Sequence, residues 1–152
     1  MLLELPATGA PLTARECTLA YATLAWTCEQ IFAVAARWVD SIEVPESKVA
    51  VAVTARLFGW QAVQWRALVP ESVLLEDDRE AAPTPSARAA VAALCSVEPG
   101  QGVESLRALA ASIGEEVDLL TARLSLVSDG AAARLAEFFR ADLERTTRKL
   151  EG

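Results

Sequence analysis

Four charged residues stand in otherwise apolar helical sequence: Glu29, Arg56, Glu116 and Asp142. Carboxylates in apolar surroundings acquire raised pKa values and can serve as general acids or bases. An arginine among them could neutralise them, since a guanidinium keeps its charge and can hold two carboxylates at once. We therefore take these four residues as the candidate binding cluster of the molecule.

The spacing of these charges predicts that they lie at similar heights. In an antiparallel helix pair that turns near residue 43, Glu29 is level with about residue 57, next to Arg56. In a second pair that turns near residue 129, Glu116 is level with Asp142. If the two pairs share a level, Arg56 faces the acids of the neighbouring helices. We expect it to form an ion pair, shielded from water, with at least one of the three.

Aromatic residues form a second candidate set, namely Trp26, Phe32, Trp60 and Trp65. Such residues could line a pocket for a small molecule or form an interface. Aromatic residues at helical spacing are also typical of an ordinary hydrophobic core. The sequence leaves pocket, interface and core open for each of them.

The second predicted helix is apolar on two opposite faces. At 100° per residue, one face carries Val51, Ala55, Phe58, Ala62, Trp65 and Val69, and the other carries Val49, Val53, Trp60, Val63 and Ala67 around Arg56. One face can fill a core. The other would be an unusually large exposed patch unless a chain segment or a second subunit covers it. This pattern predicts a homodimer or another protein partner.

Helix signals divide the chain into four long segments, predicted at about 13–40, 46–69, 103–127 and 130–149. Thr13 and Glu16 form a capping box at the first start, and Pro70 ends the second segment. Residues 1–12 are interpreted as an extended arm, and residues 70–101 as a crossover with a short helix near 86–97. The chain is thus predicted to be one all-α domain, 1–152, of two antiparallel hairpins joined by a long crossover.

Composition excludes several classes of function. The chain has no histidine, which removes Ser-His-Asp triads and histidine-ligated zinc or iron sites. A net charge of -7 makes nucleic acid an unsuitable partner. Glu29 and Gln30 at the centre of the first helix argue against a membrane span. Three cysteines, an odd number, and no signal-peptide pattern predict a cytoplasmic protein.

The first half resembles small uncharacterised bacterial ferritin-like proteins, through Ala25-Trp26-Thr27-Cys28-Glu29-Gln30-Ile31-Phe32 and Phe58-Gly59-Trp60-Gln61-Ala62-Val63-Gln64-Trp65. The resemblance covers about 13–149 and implies a ferritin-like four-helix bundle with a carboxylate-bridged di-iron site. Glu29 and Glu116 match the family's two single glutamates. Asp142-Leu143-Glu144-Arg145 stands where the family has a Glu-x-x-His motif, and the second helix offers Arg56 in place of its acid and histidine.

These departures from the family pattern predict a protein without metal or cofactor. Two imidazoles and one carboxylate are lost, and Arg56 would place a fixed positive charge beside any metal. We expect a non-catalytic protein that acts through protein–protein association, as a homodimer or as the partner of an active relative. A small-molecule-binding protein or a metal-free enzyme using the carboxylates is the alternative, followed by a carboxylate-bridged di-metal oxidase.

Overall fold

The computed structural model describes residues 1–7 and 9–151, and within them the regular secondary structure is helical, with no β-strand. The α-helices are α1 (Ala14–Val39), α2 (Pro45–Leu68), α3 (Glu76–Ala81), α4 (Pro85–Cys95), α5 (Pro99–Thr121) and α6 (Gly130–Leu150). A 3-10 turn, Val73–Leu75, precedes α3. The all-α class predicted from the sequence is confirmed.

Helices α1 and α2 form an antiparallel pair, as predicted. The capping box is present, because the Thr13 N–H donates to the Glu16 carboxylate over 2.7 Å and the Glu16 N–H donates to the Thr13 hydroxyl over 3.3 Å. Pro45 occupies the first turn of α2, where its missing N–H costs nothing. The predicted bounds of these two helices agree with the structure to within about a residue at each end.

The four long helices pack in a closed order of neighbours, α1 to α2 to α6 to α5 and back to α1. Helix α2 meets α6 through Phe58 and Phe139, whose ring centroids lie 6.0 Å apart. Helices α5 and α6 are antiparallel, with Arg140 Nε 2.9 Å from an Asp118 oxygen. Helix α1 contacts α5 where the Trp38 ring lies over Gly102.

Both predicted bounds of the third long helix are wrong. Helix α5 begins at Pro99, four residues before the predicted start, because a proline fits the first helical position rather than breaking the chain. The helix ends at Thr121, and Val127, where the sequence placed the end of this helix, lies in the following loop and is 98% exposed. The Asp129 carboxylate accepts from the Ser125 N–H at 3.0 Å and so supports the loop instead of capping α6.

The crossover between α2 and α5 lies over α1. Helices α3 and α4 both pack against α1, and α4 also contacts α5. The predicted short helix is present as α4, capped by the Thr84 hydroxyl, which accepts from the Ala87 N–H at 3.2 Å. The crossover therefore leaves the outward face of α2 uncovered.

Candidate functional site

The predicted ion pair of Arg56 is not formed. Arg56 is exposed and has no ion pair among the described residues, whereas Glu29 lies 2.5 Å from Arg66 on the surface. Glu29, Arg56 and Arg66 line the same groove, and Arg56 lies ten residues, about 15 Å, from Arg66 along α2. Arg56 also lies about 80° away from Arg66 around the axis of α2, so it does not face Glu29 as Arg66 does. Height alone does not determine which side of a helix a residue occupies.

Glu116 is the one member of the predicted cluster that is buried, with 4% of its surface exposed. Its carboxylate accepts the N–H of Leu2 at 2.7 Å and the N–H of Leu3 at 3.2 Å. Main-chain donors from the N-terminal arm thus satisfy this carboxylate in place of an arginine. The sequence prediction missed this contact, although two leucines in a short extended arm are a signal that the arm docks on the core.

Asp142 pairs with Arg145, one turn further along its own helix. Glu29, Glu116 and Asp142 therefore lie in three separate environments, on α1, under the arm and on α6. Within the described residues no group of three potential ligands comes together. The donor set does not fit a di-iron centre, and no chemical step follows from one.

The four candidate aromatic residues are divided among three environments. Trp65 is fully buried, with its ring 5.7 Å from Tyr21 and 6.3 Å from Phe139, and so belongs to the core. Trp26 is half-buried beside α3. Phe32 and Trp60 remain exposed on the outer side of α1 and α2.

Three further polar side chains are buried in the interior, those of Tyr21, Cys28 and Gln61. Burial raises the pKa of the Tyr21 hydroxyl and of the Cys28 thiol, so both stay protonated and inert at neutral pH. Gln61 is fully buried, and neither of its side-chain polar atoms has a hydrogen-bond partner among the described protein atoms. Its position between Phe58 and Trp65 on the buried stripe was the available signal for this burial.

A groove of about 650 Å³ runs between the outer sides of α1 and α2. Its floor consists of small residues, including Ala36, Ala55 and Gly59, and Phe32 stands beside it. A Cβ on Gly59 would lie 3.1 Å from the Phe32 ring, so the glycine lets that ring approach the helix backbone. Arg56 and the Glu29–Arg66 pair add charge to this apolar surface.

The outward face of α2 borders this groove. We call it the outer stripe, and it consists of Val49, Val53, Arg56, Trp60, Val63 and Ala67. Val49 and Val63 are more than 60% exposed and Trp60 is 50% exposed. The second apolar face predicted from the sequence is present, and no described segment of this chain covers it.

Comparison of the chain with protein-family models, curated proteins and solved structures finds no match. Helix α1 is long and apolar enough to cross a membrane by length and composition, but 56% of its most apolar window is buried against the rest of the protein. Core helices of soluble proteins show the same combination.

Proposed function

We propose that this protein is a non-catalytic, metal-free ferritin-like helical protein that acts through protein–protein association, as a homodimer or as the partner of an active relative. The outer stripe of α2 is the observation that carries the proposal. Apart from Arg56 it is apolar, it is continuous along the helix, and it is exposed. Contiguous apolar surface of this kind marks interaction sites in soluble proteins.

Two features support the ferritin-like part of the proposal. The long helices pair as α1 with α2 and α5 with α6, and a long crossover joins the pairs. This connectivity is typical of ferritin-like bundles rather than of simple up-down-up-down bundles. The separation of Glu29, Glu116 and Asp142 supports a protein without the family's metal chemistry. We include a cytoplasmic location in the proposal, since all three cysteines are free.

Burial of the outer stripe would stabilise an association. Removing apolar surface from water contributes about 25 cal/mol per Å². Valine and tryptophan side chains lose little conformational entropy when they are buried, compared with long flexible side chains. Burying this surface in an interface therefore stabilises association more than burying a charged helix face would.

The substitution Val53→Asp tests the proposal by placing a carboxylate in the outer stripe. We expect the wild-type protein to self-associate in static light scattering at tens of micromolar and the variant to be monomeric. Val127→Asp, which adds the same charge to a 98% exposed loop residue, is the matched control and should associate like wild type. Identical masses for all three proteins would contradict self-association through the outer stripe.

A second candidate function is the binding of a small apolar molecule that carries an anionic group. The observation that favours it is the α1–α2 groove, whose volume of about 650 Å³ lies within the range of ligand sites and which Arg56 lines. The fluorescent probe 1-anilinonaphthalene-8-sulfonate tests it. Saturable binding that is lost in Arg56→Glu and retained in Lys149→Glu would favour this candidate.

A further inference from the structure

We infer that the partner of the outer stripe is a second copy of this chain, whose α2 lies antiparallel to the first with the two-fold axis level with Phe58. This inference rests on the proposed function and names its partner and geometry. It follows from the spacing of the stripe, from the pairing that this spacing allows and from the one charge that the stripe contains.

The spacing of the outer stripe is that of a coiled-coil seam. Its six residues are separated alternately by four and three positions, from Val49 to Ala67. Hydrophobic residues repeating every 3.5 positions keep one seam facing a partner helix along its length. The buried stripe of α2, from Val51 to Val69, has the same spacing and faces the neighbouring helices of its own chain. The outer stripe can therefore pack against another helix along about 27 Å of the α2 axis.

The antiparallel arrangement centred on Phe58 matches every position of the stripe with another. Val49 lies opposite Ala67 of the second copy, and Val53 lies opposite Val63. Arg56 lies opposite Trp60. The same three pairs recur on the other side of the axis, so six apolar or aromatic contacts form without an overhanging residue. Such self-complementarity is what a two-fold interface requires.

The single charge in the stripe selects this arrangement over others. A parallel pair in register would bring Arg56 against Arg56 of the second copy, and like charges repel. An antiparallel pair shifted by one heptad would place Arg56 against a valine or an alanine and leave the cation without a favourable contact. The inferred register instead places each guanidinium at the height of a Trp60 ring, the best aromatic partner for a cation.

Engineered cysteines test the register directly. In a Cys95→Ser background, which removes the exposed native thiol while Cys17 and Cys28 stay buried, Val53→Cys and Val63→Cys are made on separate chains carrying different tags. Under mild oxidation, an equimolar mixture should give a disulfide-linked dimer that contains both tags. Each variant alone should give little, because equal positions lie about 15 Å apart along the axis, beyond the reach of a disulfide.

Three outcomes would overturn the inference. Efficient cross-linking of Val53→Cys with itself would indicate a parallel pair, and the association proposed above would stand. A dimeric mass without cross-linking in the mixture would place the interface elsewhere, or show a different register. A monomeric mass for the parent protein at all concentrations would remove the inference and the self-association together. Val127→Cys on both chains is the control for random collision.

The contact between Arg56 and Trp60 has its own test. Arg56→Ala should weaken the dimer about tenfold, because two symmetric cation–aromatic contacts are lost. Arg56→Lys retains the cation and should weaken it much less. An Arg56→Ala dimer as tight as wild type, with the circular dichroism of both variants unchanged, would show that Arg56 lies outside the interface.

Discussion

Glu116 and Arg56 show two ways in which a charged side chain is accommodated on an apolar helix. Glu116 is taken out of water and compensated by the main chain of Leu2 and Leu3. Arg56 stays in water on the outward side of α2. The sequence did not reveal which side of its helix each of these residues occupies. Burial depends on which neighbours surround each helix, and for Glu116 that neighbour is an irregular arm without periodicity.

Replacement of Glu116 should destabilise the folded protein. In Glu116→Ala two buried N–H groups lose their acceptor, and each unsatisfied donor costs about 1–3 kcal/mol. We expect the free energy of unfolding, measured by urea denaturation, to fall by about 3 kcal/mol. The adjacent exposed residue gives the control, since Glu115→Ala should change it by less than about 0.5 kcal/mol. Equal effects of the two substitutions would contradict the assigned role of Glu116.

Glu4 ties the arm to the start of α4 in a pH-dependent way. Its carboxylate accepts from the side chain and the N–H of Ser86, and these bonds lower the pKa of Glu4. Because the folded pKa is lower than the unfolded one, the contact stabilises the arm above the unfolded pKa and is lost as the pH falls through the folded pKa. An NMR titration should therefore give Glu4 a pKa below its ordinary value, and Ser86→Ala, which removes the hydroxyl donor but keeps the N–H, should raise that pKa part of the way back.

Helix α5 shows how tertiary packing can use residues that look like helix breakers. Pro99 and Gly100 lie in its first turn, and Gly102 is buried beneath Trp38. A Cβ on Gly102 would lie 2.5 Å from that ring, whereas a Cβ on Gly100 would meet nothing within 4 Å. The sequence predicted the ends of α1 and α2 because capping residues and prolines mark them locally. The start of α5 carries a local signal too, in Pro99, but Gly100 and Gly102 close by are equally typical of a turn, and the packing of Gly102 beneath Trp38 is visible only in the structure.

The two glycines of α5 make a matched pair of substitutions. Gly102→Ala should lower the free energy of unfolding by about 1–3 kcal/mol, since the Trp38 ring is buried and must be displaced. Gly100→Ala should leave it unchanged or raise it by up to about 1 kcal/mol, because alanine restricts the unfolded chain. Thermal unfolding followed by circular dichroism measures both. A higher melting temperature for Gly102→Ala would contradict the packing described for α1 and α5.

Helix α2 carries two apolar seams, of which one packs within its own chain and the other is the proposed partner surface. Both seams were visible in the sequence, and their spacing is the same. The sequence could not assign them, since valine and alanine dominate each. The aromatic contacts decide the assignment. Phe58 packs against Phe139, and Trp65 packs against Tyr21 and Phe139, so the stripe that carries them faces the core. The remaining seam is then the outer stripe.

Sedimentation equilibrium of the wild-type protein over a range of concentrations tests the proposed use of the outer stripe most directly. We predict a mass of twice the 16.2 kDa chain at tens of micromolar, with dissociation to single chains on dilution. The same measurement on Val53→Asp should give single chains throughout. A wild-type mass of 16.2 kDa at every concentration would contradict self-association through the outer stripe.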